Sequence, residues 1–417
     1  MKAGWKQQKL GEVCEFLNRG ISPKYIDNGG VCVLNQKCIR DHKVSFDLSR
    51  RHSVKDKPIS PERFVRLGDV LVNSTGTGTL GRVAQVREEP DEPTTVDSHV
   101  TIVRPRSGMF HSDFFGYMLV VIEDAIKEAG EGCGGQTELA RLVLAERFSI
   151  NYPTGISEQK RIVGILDDAF DGLARATANT EQNLRNARTL FKGYLQSVFS
   201  QRGREWVEKQ LEEVVDANCT LSYGIVQPGN HYPNGLPIVR PTDLTTKVIT
   251  LGELKCIDPE VAKSYARTTL RGGELLLCVR GSTGVVSVAA PELAGANVTR
   301  GIVPIVFEPS LVRQDFGYFL MASDAIQTQI RAKTYGAALM QINIGDLRRI
   351  VVPFPKLKEQ KEIAAKLEIL AGETQRLESI YQQKLAALNE LKKSLLHRAF
   401  NGELTRDNGQ LTKDNGQ

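Results

Sequence analysis

The sequence lacks long apolar segments and has few aromatic residues. Only 6% of its 417 residues are aromatic. Its longest strand-like apolar run, residues 275–279, is far shorter than the ~18 residues that a membrane helix needs. The first eight residues contain no apolar core of a secretory signal peptide. We therefore expect a cytoplasmic protein that does not enter a membrane.

Paired cysteine motifs and a strong charge of one sign are also missing. The seven cysteines show no C-x-x-C spacing, which argues against a disulfide framework or a zinc knuckle and favours a reducing compartment. The six histidines have no ligand spacing, so we expect no metal site. The net charge of +5 permits nucleic-acid binding without requiring it.

What the sequence does contain is an internal duplication with an offset of about 201 residues. Trp5 recurs as Trp206, and the Glu-Gln-Lys tripeptide at 158–160 recurs at 359–361. Residues 157–200 align with 358–401 without gaps, whereas 20–110 and 220–310 match only at scattered positions. Duplicated units that keep their connectors and diverge elsewhere indicate one shared frame with two different recognition surfaces.

Two long helices are predicted to form that frame. From Ile162 onward, apolar or small residues recur at alternating steps of three and four, and the same stripe recurs 201 residues later. Lys392 interrupts the second stripe, and we expect the neighbouring Leu391 to continue it. Each helix spans about 43 residues, and the economical partner for each stripe is the other copy, in an antiparallel coiled coil. The predicted helix-pair contacts are Ile162, Leu166, Leu184, Leu195, Ile363, Leu367, Leu385 and Leu395.

An alternative arrangement has each helix pack only on its own globular domain. In the antiparallel arrangement the two globular modules lie at opposite ends of the helix pair, related by a pseudo-twofold axis. Two divergent modules held apart by a rigid spacer suggest a protein that measures a distance along DNA.

Motifs for catalysis are absent or misleading. The G-x-G-x-x-G at 76–81 precedes an alternating, strand-like segment instead of a helix, so we interpret it as a glycine-rich hairpin. Asp91 with the later Glu158-x-Lys160 superficially resembles a nuclease, but the tripeptide opens a helix, and we interpret it as a capping or surface feature. No N-P-P-[YF] tetrapeptide of amino-methyltransferases occurs. The chain is predicted to be non-catalytic.

Taken together, these features resemble the specificity subunit of a type I restriction–modification system. The motifs that carry the resemblance are Trp-x4-Leu-Gly-Glu-Val at 5–13 with its copy at 206–214, Gly-Asp-Val-Leu-Val at 68–72 with Gly-Glu-Leu-Leu-Leu at 273–277, Glu-Gln-Lys-x-Ile at 158–162 with its copy at 359–363, and Pro-Ile-Val-Arg-Pro-Thr-Asp-Leu at 237–244. The resemblance covers residues 5–403. The first copy departs by reading Tyr-Pro-Thr-Gly at 152–155, where a second proline is usual.

The resemblance implies a multidomain α/β (α+β) protein in which two target recognition domains are joined by two long antiparallel helices. The expected segments are a first recognition domain at 1–155, a first spacer helix at 156–201, a second recognition domain at 202–356 and a second spacer helix at 357–403. The last segment, at 404–417, repeats a heptapeptide, and its polar, glycine-rich composition predicts a disordered tail.

The resemblance also implies the partners. Each recognition domain would read one half of a bipartite, asymmetric site in double-stranded DNA. The helices would dock two modification subunits, and two restriction subunits would join the full complex. No cofactor is expected on this chain, whereas S-adenosylmethionine, ATP and Mg are implied for the partner subunits.

Residues that read bases need donors and acceptors presented to groove edges, and arginine and lysine hold phosphates. Our DNA-contact candidates, on hairpins and late loops, are Asn73, Ser74, Thr75, Arg82, Ser98, His99 and Gln136 in the first domain, with Arg240, Arg280, Ser282, Thr283, Asn297, Arg300, Gln341 and Asn343 in the second. Two alternatives stay open at this point: a restriction enzyme whose catalytic part lies elsewhere, and a coiled-coil scaffold without a DNA role.

Overall fold

The computed structural model of the protein describes residues 4–133, 136–252, 254–336 and 339–404. The chain divides into two compact units, one of Met1–Thr180 with Gln383–Gln417 and one of Glu181–Gln382. Each unit therefore contains part of both long helices. The segment boundaries given above, which treat each helix as a segment of its own, stay a prediction. From residue 405 onward, the predicted tail lies outside the described residues.

The first unit is built mainly from the chain up to residue 180. Its strands are β1 (Trp5–Lys9), β2 (Cys14–Arg19), β3 (Tyr25–Ile26), β4 (Val31–Leu34), β5 (Ile39–Arg40), β6 (Lys43–Val44), β7 (Arg50–His52), β8 (Val70–Asn73), β9 (Val83–Gln85), β10 (Thr94–Val96), β11 (Val100–Pro105), β12 (Glu131–Cys133), β13 (Gln136–Glu138) and β14 (Ser149–Pro153). Its helices are α1 (Leu10–Val13), α2 (Ser112–Val121), α3 (Glu123–Glu128), α4 (Arg141–Glu146) and the start of α5 (Ile156–Ser200).

Two four-stranded sheets carry this unit. One is antiparallel with the order β2-β11-β8-β9, and the other has the order β10-β4-β7-β3 with β10 parallel to β4. The inner strand β8 is buried along its whole length, and its first three residues are apolar, because both of its faces are covered. β1 pairs with β14 and so brings the two ends of this segment together before α5 begins.

The second unit repeats this plan with fewer strands. Its strands are β15 (Val207–Gln210), β16 (Leu236–Val239), β17 (Val248–Ile249), β18 (Lys255–Ile257), β19 (Leu275–Cys278), β20 (Val286–Ala289), β21 (Asn297–Val298), β22 (Ile302–Ile305) and β23 (Val351–Phe354). Its helices are α6 (Pro259–Ala262), α7 (Gln314–Ala322), α8 (Asp324–Lys333), α9 (Ile344–Arg348) and the start of α10 (Leu357–Phe400).

The sheets of the second unit match those of the first in their central pairings. One sheet of the second unit has the strand order β17-β20-β19-β22. Its strand β19 pairs antiparallel with β20 and β22, just as β8 of the first unit pairs antiparallel with β9 and β11. β16 runs parallel to β21, as β4 runs parallel to β10. β15 pairs with β23, as β1 pairs with β14. The duplication read from the sequence is therefore a duplication of fold.

The two long helices have the predicted lengths, 45 residues for α5 and 44 for α10. In the first unit, Ile162 and Leu166 near the start of α5 share a core with Leu396 and Phe400 near the end of α10. Burial of such apolar side chains is worth about 1.5–3 kcal/mol each. The antiparallel pairing is confirmed within this unit.

The second unit shows the complementary pairing. Leu195 and Phe199 near the end of α5 pack in one core with Ala364 and Leu367 near the start of α10. Among the predicted contact residues, four are buried and four are half-buried. The buried ones are Ile162, Leu166, Leu195 and Leu367, and the half-buried ones are Leu184, Ile363, Leu385 and Leu395.

One detail of the stripe is corrected. Leu391 does not continue it, because its side chain is 47% exposed. Lys392 itself occupies the stripe position and is partly buried there. Its ammonium lies 5.4 Å from the centre of the Phe170 ring. A lysine can occupy such a position because its apolar stem packs while its charge is held over an aromatic face or in water.

The Glu-Gln-Lys tripeptide has a structural role that its sequence interpretation missed. Gln159 is fully buried, and its Oε1 accepts from the His111 amide at 2.7 Å while its Nε2 donates to the Pro153 carbonyl at 2.9 Å and the Met109 carbonyl at 3.3 Å. This side chain fastens the start of α5 to the loop before α2. The surface interpretation was wrong for Gln159, because these otherwise unpaired backbone groups require a buried amide.

The second unit repeats the same fastening. Gln360 is fully buried, accepts from the Arg313 amide at 2.8 Å, and donates to the carbonyls of Pro355 and Leu311, each at 2.8 Å. A glutamine at this place supplies one acceptor and two donors at once. This explains why the middle residue of the tripeptide is the same in both halves.

None of the helices in the described ranges is both long and apolar enough to cross a membrane.

Candidate nucleic-acid interface

Three loop segments meet at one end of the sheets in the first unit. They are the glycine loop between β8 and β9 (residues 74–82), the turn between β10 and β11 (97–99), and the late hairpin of β12 and β13 with residue 139. The Ser74 amide donates to the His99 carbonyl at 2.8 Å, and the Leu139 amide donates to the Ser74 carbonyl at 2.8 Å. Ser74 thus joins the three segments through its backbone.

The second unit joins the equivalent segments in the same way. The Val279 amide donates to the Gly301 carbonyl at 2.8 Å, and the Ile342 amide donates to the Val279 carbonyl at 3.1 Å. Bridges pair Thr75 with Glu138 and Arg280 with Gln341. Arg280 therefore occupies the place of Thr75, and Gln341 that of Glu138.

The side chains at these equivalent places differ in chemistry. In the first unit, Thr75 and His99 form a side-chain hydrogen bond of 2.6 Å. In the second unit, Arg280 replaces the threonine, and its buried Nη1 has no hydrogen-bond partner within the described ranges. The Arg280 side chain as a whole is partly exposed, and an arginine at such a place can donate to a base edge or a phosphate.

The glycine loops have the hairpin geometry that the sequence predicted. Gly76 and Gly281 have φ of +102° and +86°, and Gly81 and Gly284 have φ of +81° and +97°. Strands follow both loops, at Val83–Gln85 and Val286–Ala289. The prediction of a glycine-rich hairpin that leads into a strand and not into a helix is confirmed.

Several of the DNA-contact candidates in the first unit are buried and form hydrogen bonds within the fold. Asn73 is buried and donates to the Gln36 carbonyl at 3.0 Å, and Ser74 is buried against Thr101 at 2.5 Å. Ser98 and His99 lie on the turn, partly or fully exposed, and Arg82 is partly exposed. Gln136 lies in β13, and its side chain falls outside the described residues.

The DNA-contact candidates of the second unit likewise divide into residues bonded within the fold and residues at the loop end. Asn297 is fully buried against Thr268 at 2.8 Å, Asn343 caps α9 by accepting from the Asp346 amide, and Arg240 is paired with Asp243 at 2.8 Å. The candidates that the structure brings together at the loop end are Arg280, Ser282, Thr283, Arg300 and Gln341.

Two residues of this surface were missed, Arg19 and Tyr223. The Arg19 guanidinium donates to the Leu139 carbonyl at 2.9 Å, and the Tyr223 hydroxyl donates to the equivalent Ile342 carbonyl at 3.2 Å. Burial and the nearby Tyr335 raise the pKa of the Tyr223 hydroxyl, which keeps it a donor. The sequence feature that could have identified both residues is the glycine that follows each of them, Gly20 after Arg19 and Gly224 after Tyr223.

Gly20 and Gly224 have one role in the two units. A Cβ at either would lie 1.9 Å from a carbonyl oxygen, that of Val96 or Val298. The offset between the two glycines is 204 residues instead of 201, which hid the equivalence of Arg19 and Tyr223. Only a glycine allows the chain to approach this closely.

No group of three or more histidine, cysteine, aspartate or glutamate side chains suited to a metal ion occurs within the described ranges. What the loop end offers instead is hydrogen-bonding side chains on a shared scaffold. Such a surface can read base edges and hold phosphates.

Comparison with known proteins gives results for both the sequence and the fold. The family model described as "Type I restriction modification DNA specificity domain" matches residues 203–387. The EcoBI type I restriction enzyme specificity subunit of Escherichia coli is 28% identical over 48% of this chain and 42% of that protein. The MjaX specificity subunit of Methanocaldococcus jannaschii is 23% identical over 96% of this chain and 93% of that protein.

Solved structures give the same picture for the fold. A chain from a study of assembly and conformational transition in the type I R-M system aligns with a TM-score of 0.77 and 19% identity, covering 97% of this chain and 99% of that one. The HsdS subunit from Thermoanaerobacter tengcongensis aligns with a TM-score of 0.56 and 19% identity, covering 97% and 98%.

Proposed function

The chain belongs to the family of type I restriction–modification specificity subunits, and on that premise we propose that it recognises a bipartite, asymmetric site in double-stranded DNA. Each unit would read one half of the site through its three joined loop segments. The chain itself would supply sequence recognition, and partner subunits would supply the chemistry.

The observation that carries this proposal is the pair of matched loop ends. Ser74 and Val279 hold the same three segments by the same backbone hydrogen bonds, while Thr75 and Arg280 present different donors at the equivalent place. A shared scaffold with different side chains suits two readers of different sequences, because donor and acceptor patterns in the major groove identify each base pair.

We further propose that two modification subunits dock on the long helices. Leu190 on α5 and its repeat equivalent Leu391 on α10 are 67% and 47% exposed. Ile369, which is 70% exposed, lies with Leu190 along one cleft of the second unit. Exposed apolar side chains at repeat-equivalent positions support two copies of one partner. Two restriction subunits would complete the assembly.

Because the partner subunits would carry out the chemistry, we propose that they also bind the cofactors. S-adenosylmethionine would be bound by the modification subunits, and ATP and Mg by the restriction subunits. The support within this chain is its sequence, which contains no N-P-P-[YF] tetrapeptide.

The test is an exchange of one reader. Residues 20–150 are replaced by those of a relative, the chimera is combined with its modification subunits and S-adenosylmethionine, and a randomised DNA library is methylated and sequenced. We expect one half of the methylated site to change and the other half to be retained. A change in both halves, or in neither, would contradict the proposal.

The same experiment separates the alternatives. A scaffold without a DNA role would leave the methylated sequence unaltered by every exchange. A self-sufficient enzyme would methylate or cleave DNA without added subunits, and an isolated chain binding S-adenosylmethionine would indicate it. The matched control exchanges residues 220–330 instead and should alter the opposite half.

A further inference from the structure

A cleft of about 540 Å³ opens in the first unit beside the glycine loop. Its walls are the loop at 76–83, the tight turn that joins β5 to β6, and helix α3. Of the DNA-contact candidates, only Arg82 lines it. The cleft therefore adds a feature that the reading segments do not account for.

The single buried acid of the cleft is already neutralised. The Glu123 carboxylate lies 3.0 Å from His42 Nε2 and 2.5 Å from Lys127 Nζ, and it accepts from the Val83 amide at 3.2 Å. Burial alone would disfavour the charged carboxylate, but the hydrogen bonds from His42 and Lys127 outweigh it and hold the pKa of Glu123 below its ordinary value. Glu123 thus repels an incoming anion little.

Two arginines of the cleft have no carboxylate partner in the part of the chain that the structure describes. They are Arg40, which is exposed, and Arg82, whose guanidinium donates only to the Gly78 carbonyl at 3.0 Å. Most other arginines of this unit are engaged, as Arg104 is with Asp69. The exposed Asp41 also lines the cleft, so Arg40, Arg82 and Lys127 stand against the carboxylates of Asp41 and Glu123 and leave an excess of one positive charge.

The glycine loop adds backbone donors. The amides of Thr77 and Gly78 have no acceptor among the described residues, and Gly78 has a φ of +78°. Successive free amides in such a turn make a concave site for an anion. Fixed amide dipoles and arginine guanidiniums are the groups that bind phosphate oxygens.

The second unit lacks this arrangement although it repeats the fold. From the repeated Asp-Ala-Ile at 124–126 and 324–326, Ser323 and Gln327 are the equivalents of Glu123 and Lys127. Gln327 is neutral and donates to the Gly284 carbonyl at 2.8 Å. The charged cleft is therefore a property of the first unit and is not a requirement of the fold.

We propose that this cleft binds one backbone phosphate of the DNA in the half of the site read by the first unit. The inference rests on the proposed function and goes beyond it by assigning a phosphate contact to Arg40, Arg82 and the amides of Thr77 and Gly78. A phosphate held here would fix the register of the glycine loop and of the adjoining turn at 97–99 on the bases.

The test changes charge at one exposed position of the loop. Thr77→Glu adds a carboxylate to the exposed residue between Gly76 and Gly78, which both line the cleft, and Thr77→Gln is the neutral comparison of the same size. Each variant is assembled into the complete complex with its modification subunits, and its affinity for specific DNA is measured at several salt concentrations. We expect Thr77→Glu to bind at least tenfold more weakly than Thr77→Gln, because only the glutamate adds a negative charge beside the bound phosphate, and equal affinities for the two variants would contradict the proposal.

Arginine variants test the contact itself. Arg40→Gln and Arg82→Gln should each lower the slope of log affinity against log salt by up to about 0.9, the value for one lost phosphate contact. Arg147→Gln, at an exposed arginine on the end of α4, should leave the slope unchanged. Equal slopes for the cleft variants and the control would overturn the proposal.

A neutral-phosphate scan identifies the source of the phosphate. Methylphosphonates are placed one at a time along the first half-site. We expect one position at which the substitution weakens binding to the unchanged complex but not to the Arg82→Gln complex. If no methylphosphonate position depends on Arg82 in this way, the proposal is wrong. It is also wrong if inorganic phosphate binds the cleft without competing with DNA, because the cleft would then bind a free anion. A complex that shows no sequence preference at all would instead refute the proposed function.

Discussion

Replacing Gln159 with leucine tests whether one buried amide fastens the first long helix to its unit. The substitution keeps a side chain of similar volume and good helix propensity, so the main change is the loss of hydrogen bonds. The groups left without a partner are the His111 amide and the carbonyls of Met109 and Pro153.

The size of the effect follows from these groups. An unsatisfied buried donor or acceptor costs about 1–3 kcal/mol, and the 3.3 Å contact with Met109 is the weakest of the three. We therefore expect the free energy of unfolding of the first unit to fall by about 3–6 kcal/mol. Gln360→Leu should have a similar effect on the second unit, because Gln360 makes the equivalent bonds.

The two tryptophans allow each unit to be followed separately. Trp5 lies against the core of the first unit and Trp206 against that of the second. In a Trp206→Phe background, urea unfolding followed by fluorescence reports the first unit. Asn179→Leu, at an exposed position of the same helix within the first unit, is the control and should change stability by less than about 0.5 kcal/mol. A loss for Gln159→Leu no larger than that of the control would refute the reasoning.

Three further predictions concern buried charge and base recognition. Asp69→Asn should destabilise the first unit by about 3–5 kcal/mol in urea unfolding, because it leaves the buried Arg104 guanidinium without its carboxylate; no loss would show that the pair is dispensable. Since the pKa of Glu123 is lowered in the folded state, its contribution is present above the ordinary value of 4.5 and is lost as pH falls. The melting temperatures of Glu123→Gln and the unchanged chain should therefore differ at pH 7 and converge as the pH falls below 4.5, and a constant difference would contradict this. Arg280→Gln should relax the sequence preference at one position of the second half-site by about 1–3 kcal/mol, measured by sequencing methylated libraries; an unchanged preference would remove Arg280 from the base contacts.

Much of the fold could be predicted because the duplication and the helical stripe are long-range patterns. The offset of 201 residues and the steps of three and four are independent of any single side chain. Lys392 shows the limit of such a pattern, because a lysine stem can occupy a stripe position that the hydrophobic pattern assigns to leucine. Gln159 shows another, because burial of a polar side chain depends on backbone groups from distant segments.

The candidate site was harder to predict, since residue type does not show where a polar side chain points. Asn73 and Asn297 carry groups suited to bases, but both are buried and bind within the fold. Arg19 and Tyr223 share one contact despite different chemistry. Insertions shift the offset in the diverged regions, so only the backbone hydrogen bonds reveal that these two positions are equivalent.

The division of the long helices between the units has a consequence for biosynthesis. The core of the first unit contains Leu396, Ala399 and Phe400, which a ribosome adds only after the whole of Glu181–Gln382. The second unit can therefore complete its core while the first still waits for its last helix. During that interval the apolar surface around Phe114 stays exposed, because the ring of its later partner Phe400, 4.9 Å away in the folded protein, has not yet been synthesised. The first unit can therefore complete its core only when translation reaches the end of the second long helix.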